Sequence, residues 1–202
     1  MARREPMDRV RKRRALSSGL LLTIFERFKV YVTERVDGFF SEHAEIVHGE
    51  LRFTRSDKFK QLIKEKGVGG IGQHGNKSFR ASLHWFYDLD AITKEELEEV
   101  ERIYSLRNEI GHELLRIIAD DDKRPISLRD VLITFGVYVK IVRWWVKEVE
   151  ATIDPEFDQE KYKTTNWDEV DSVETVFLRE IICKALVGNA EWEQFEEMVR
   201  NE

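Results

Sequence analysis

The sequence predicts an all-α protein. Apolar residues recur at three- and four-residue steps along most of the chain. Only three prolines interrupt its 202 residues. Helix-start signals stand in front of the longest apolar stripes. The expected architecture is a helical bundle with a long N-terminal helix and a C-terminal helical extension. The expected boundaries are a basic segment over 1–15, the bundle over 16–152, and a linker with C-terminal helices over 153–202, packed on the same domain.

The elements follow in order. Leu20, Ile24, Phe28, Tyr31, Val32, Val36 and Phe39 predict one amphipathic helix over about 16–47. A short helix follows Ser56, with Phe59, Leu62 and Ile63 as its apolar face, and Gly67 stops it. The glycine-rich stretch 67–76 reads as a surface loop. Phe79, Leu83, Phe86 and Tyr87 then mark a helix over 78–87, in which His84 and Trp85 read as packing residues. Thr93 and Glu96 have the spacing of a capping box and open a long helix that ends near Ala119. Ser127 starts another, with Val131, Ile133, Phe135, Val137, Tyr138, Ile141, Val142, Trp145 and Val149 facing inward. The polar stretch 153–167 reads as a linker. Two helices over about 168–187 and 190–200 close the chain, anchored by Phe177, Ile181, Leu186, Trp192, Phe195 and Val199.

Composition narrows the function. The net charge of -6 argues against a general nucleic-acid coat protein, yet a nuclease needs only a local basic patch. Arg3, Arg4, Arg9, Arg11, Lys12, Arg13 and Arg14 form such a patch. It reads either as a solvated, frayed terminus or as an arm that engages RNA phosphates. The single Cys183 permits no internal disulfide and no cysteine-based zinc site, which points to a reducing compartment. The apolar stretch Leu16–Phe25 is too short to span a bilayer. A cytoplasmic protein without membrane attachment is expected.

The stretch Arg107-Asn108-Glu109-Ile110-Gly111-His112 carries the chemistry. An arginine holds a phosphate with a permanent forked charge, and a histidine exchanges a proton near neutral pH. At 100° per residue, Val100, Ile103, Ile110, Leu114, Ile117 and Ile118 form the core stripe. Arg107 falls at its margin and His112 on the opposite side. Asn108 and His112 stack on one face. Between Arg107 and His112 runs a second seam of Leu97, Tyr104, Gly111 and Leu115, which core packing does not require. It reads as a two-fold dimer interface, with a close approach at Gly111.

This run resembles the Arg-Asn-x-x-x-His signature of the HEPN superfamily, small all-helical domains that include many prokaryotic ribonuclease toxins and antiviral effectors. The resemblance is specific over about 93–119. It implies a HEPN-like bundle and a homodimer whose composite site cuts RNA without a cofactor or metal. It implies His112 as acid or base, Arg107 on the scissile phosphate and Asn108 orienting His112 or holding a phosphate oxygen. Tyr104, Gly111, Arg116 and Lys77 would line the site or contact RNA. Some members carry a Tyr two residues after the motif His, which a partner modifies. Here that position is Leu114. An antitoxin or defence-system partner acting by another route would have to restrain the enzyme.

Two rivals stand beside this reading. One is a catalytically inactive helical module that dimerises or binds a partner or nucleic acid. The other is a nucleotide-binding enzyme using Gly67–Lys77. There, Asn76 separates Gly75 from Lys77 and no strand precedes the loop, so the phosphate-loop pattern fails. The triplet Asp120-Asp121-Asp122 reads as a solvated turn rather than a metal site. His43 and His48 have no zinc-site spacing.

Overall fold

The computed structural model describes residues 7–41, 43–47, 50–54, 56–67, 76–119, 127–154, 157 and 159–186. The class is all-α. Among the described residues, helices carry every buried apolar side chain except Ala91 and Ile92, which sit in a turn. The elements are α1 (Met7–Phe39), β1 (His43–Val47), β2 (Glu50–Thr54), α2 (Asp57–Lys66), α3 (Lys77–Asp88), α4 (Lys94–Ala119), α5 (Leu128–Trp145), a π turn (Val146–Glu150), α6 (Ala151–Ile153), α7 (Gln159–Thr164), a 3-10 turn (Trp167–Glu169) and α8 (Val173–Leu186). They group into two compact units, Phe25–Ser105 and Met1–Ile24 with Leu106–Glu202. The divisions fall inside α1 and inside α4.

The helix expected over 16–47 starts earlier and stops sooner. It begins at Met7 and ends at Phe39, and an antiparallel hairpin takes over 43–54. The hairpin register pairs Ala44 with Phe53 and Ile46 with Leu51 on one face, and Glu45 with Arg52 on the other. Period-2 alternation through His-Ala-Glu-Ile-Val and Glu-Leu-Arg-Phe-Thr suits strands.

The unit Phe25–Ser105 has an aromatic centre. Phe25, Phe28 and Phe79 pack edge to face, with ring centroids 5.6–6.1 Å apart. The Tyr104 ring lies 5.8 Å from Phe25 and 5.9 Å from Phe79. Trp85 packs on Phe39, Phe40 and Phe86, as its packing role required. Ser56 caps α2 by accepting from the Phe59 N–H, and Gly67 ends it. A Cβ on Gly67 would sit 2.4 Å from the Ile63 carbonyl oxygen and 2.7 Å from that of Lys77, so only glycine fits there.

The other unit is built on α5. Its buried residues include Val131, Thr134, Phe135, Val137, Tyr138, Val139, Ile141, Val142 and Trp145, which span about 200° of its circumference at 100° per residue. So broad a buried face marks it as a core helix of this unit, with Lys140 on the exposed side. Ser127 and Asp130 close a capping box at its start. At its end, Trp145 Nε1 donates to Glu150 Oε1 at 3.0 Å, an i to i+5 link that matches the wider π turn. Asp171 binds two arginines, Arg143 at 3.3 Å from α5 and Arg179 at 2.6 Å from α8.

Residues 153–167 are not a plain linker. They contain α7, and Tyr162, Phe157 and Trp167 form a small aromatic knot, closed by Trp167 Nε1 donating to the Tyr162 carbonyl. The last helix of the described chain starts at Val173, five residues later than expected. On it Phe177 is exposed rather than an apolar anchor, and Leu178 and Ile182 take the buried positions. The expected helix over 190–200 and the acidic triplet 120–122 lie outside the described residues.

Candidate functional site

The motif helix α4 is set from its first turn. The Thr93 hydroxyl accepts from the Glu96 N–H at 3.2 Å, and the Glu96 carboxylate accepts from the Thr93 N–H at 2.6 Å. The capping box read from spacing is therefore present. Glu95, in the same turn, has its carboxyl held below the ordinary glutamate range by its own backbone N–H, with help from the Thr93 hydroxyl. An anion there also complements the helix dipole. Val100, Ile103 and Ile110 are fully buried, as the core stripe required. The side chains of Leu114, Leu115, Arg116, Ile117 and Ile118 lie outside the described part.

Arg107 and Asn108 are half-buried, and Arg107 Nη1 donates to Asn108 Oδ1 at 3.0 Å. Gly111 and His112 are exposed. Five residues of helix separate Arg107 from His112 by about 7.5 Å along the axis and about 140° around it. Asn108 and His112, one turn apart, share a face. The helix thus joins Arg107 to Asn108 and sets His112 beside Asn108, but it does not bring Arg107 and His112 face to face.

The seam expected at a dimer interface is partly used by the chain itself. Leu97 is buried, and Tyr104 packs on Phe25 and Phe79. The Tyr104 hydroxyl accepts from the Asn76 N–H at 2.8 Å and so pins the start of α3. Both residues belong to the unit Phe25–Ser105, whose aromatic core needs them. Gly111 differs: among the described residues, a Cβ there would meet nothing within 4 Å. The close approach inferred for it is not made by any described residue. Lys77 is exposed in the first turn of α3, in the unit Phe25–Ser105.

That unit also holds a polar cluster the sequence reading missed. Arg80 Nε lies 3.4 Å from Glu101 Oε1, and His84 Nε2 lies 3.7 Å from the same oxygen. His84 therefore sits at a polar edge rather than simply filling the core. Asn76, Phe79, Arg80, Leu83, Glu101 and Tyr104 line a cavity of about 10 Å³, room for about one water and too small for a nucleotide. The cluster ties α3 to α4. The signal available in sequence was the four-residue spacing of Arg80 and His84, but nothing local points to Glu101.

No known family, curated protein or solved structure matches this chain. Among the described residues, no group of three or more His, Cys, Asp or Glu is placed to hold a metal ion. None of the described helices is long and apolar enough to cross a membrane.

Proposed function

We propose that the protein is a metal-independent endoribonuclease of HEPN type, acting as a prokaryotic toxin or antiviral-defence effector. One observation carries the reading. Unbroken helix from Lys94 to Ala119 keeps Arg107 bonded to Asn108 and leaves His112 exposed one turn beyond Asn108. His112 takes the proton of a ribose 2′-hydroxyl or returns one to the leaving 5′-oxygen. Arg107 neutralises the charge that builds on the phosphate. Asn108 positions the Arg107 guanidinium, to which it is already bonded. The products are a 2′,3′-cyclic phosphate and a 5′-hydroxyl.

Because Arg107 and His112 diverge on one helix, a complete site takes one of them from a second copy. The open surface at Gly111 supports such an approach. An antitoxin or defence partner restrains the activity in the cell. The test is incubation with total RNA in EDTA, comparing wild type with His112→Ala. Cleavage by the wild type alone is expected, and equal cleavage by both refutes the assignment. Light scattering across micromolar concentrations tests the homodimer, which a strict monomer excludes. One finding favours the non-catalytic helical module instead: Leu97 and Tyr104 serve internal packing, which shortens the surface left for a dimer. Wild-type protein that leaves RNA intact would establish that second reading.

A further inference from the structure

We propose that the first turns of α1 form a docking arm for the phosphate backbone of a nucleic acid. Helix α1 is continuous from Met7, so Arg9, Arg11, Lys12, Arg13 and Arg14 are carried on a helix rather than on a coil. Residues 1–15 contain seven basic and two acidic residues, so the other 187 residues carry a net charge of -11. The arm is the positive pole of an acidic chain.

Helical geometry sorts these positions. The buried residues Ser17, Ser18, Leu20, Leu21 and Ile24 define the inner stripe of this part of α1. Continued upstream at 100° per residue, that stripe passes through Arg14, Arg13, Val10 and Met7. Lys12 falls on the opposite side of the helix, with Arg9 and Arg11 outside the stripe to either side of it. Three cations in four residues approach the axial charge density of a duplex, about one phosphate per 1.7 Å.

On its own this arrangement is unfavourable. Cations at a helix N-terminus oppose the dipole, and Arg9 and Lys12 are like charges three residues apart. A polyanion laid along the face reverses both effects. Two of the three cations on that face are arginine, whose fork matches phosphate oxygens. An anionic lipid surface fits less well. Leu16 is the one large apolar residue on that side of 7–16, short of the apolar face an interfacial helix buries.

The inference stands without the nuclease reading, and its test separates the two. Fluorescence anisotropy of a labelled 20-nucleotide single-stranded RNA is followed through a salt series in EDTA, on His112→Ala protein so that the probe stays whole. Replacing Arg9, Arg11 and Lys12 together by Gln should lower the slope of log affinity against log salt by about 2 and weaken binding about 100-fold at 0.1 M salt. Arg9→Lys with Arg11→Lys, which keeps the charge, should keep the slope. Circular dichroism confirms that the Gln variant remains helical. An unchanged slope in that variant, no RNA binding by the parent protein, or binding to phosphatidylserine vesicles in place of RNA overturns the proposal. Cleavage by Arg107 and His112 is scored in its own assay, so either reading can fail alone.

Discussion

His112→Ala and Ile110→Ala, two residues apart on α4, should separate chemistry from folding. His112 is exposed, so its loss should change stability by no more than about 0.5 kcal/mol. A proton-transfer group in the proposed cleavage contributes 10²–10⁴-fold to rate, which is about 2.7–5.4 kcal/mol of barrier. The expected outcome is a protein of unchanged Tm and no detectable RNA cleavage. Ile110 is fully buried, and truncating it leaves a cavity. That change should cost about 2–5 kcal/mol, or about 4–20 °C in Tm for a chain of this size. Calorimetry reads the Tm of both variants, and gel analysis of total RNA in EDTA reads cleavage. Full cleavage by His112→Ala refutes its chemical role. A Tm loss in His112→Ala as large as that of Ile110→Ala would mean that His112 serves the fold.

Further outcomes rest on the packing. Thr93→Ala removes the acceptor for the Glu96 N–H and should cost about 1 kcal/mol by denaturant unfolding. Glu95 titrates lower in the folded chain than in the unfolded one. Its contribution is therefore present above the unfolded value and lost as pH falls through the folded one, which side-chain NMR of Glu95 in acid can follow. Gly67→Ala drives a methyl into two carbonyl oxygens and should destabilise by about 1–3 kcal/mol, read by urea unfolding. Asp171→Ala leaves Arg143 and Arg179 without their shared carboxylate, at a cost of about 1–3 kcal/mol; a Tm equal to wild type would show the pair to be idle.

Local signals were legible because they depend on a few neighbouring residues. The cap at Thr93 and Glu96, the helix start at Ser127 and the stop at Gly67 each follow from short-range hydrogen bonding or sterics. The hairpin at 43–54 was missed because the apolar positions upstream of it continue a helical period. Only the alternation after Phe40, which is short, marks the strands. The linker over 153–167 was misread because its polar composition hides Phe157, Tyr162 and Trp167, which meet only after the chain turns.

By itself the sequence determined the helical class, the starts of α4 and α5, the buried stripe of α4 up to Ile110 and the angle between Arg107 and His112. All of these are consequences of a 3.6-residue repeat and of backbone groups that must be satisfied at helix ends. Tertiary structure decided which residues a helix face would spend on its own chain. Leu97 and Tyr104 look free on a wheel, yet the aromatic core of Phe25, Phe28 and Phe79 takes them. Arg80 and His84 meet Glu101, and Asp171 meets two arginines, through contacts 8 to 28 residues apart in sequence. A helical period specifies direction around one axis. What stands in that direction depends on the packing of the other helices.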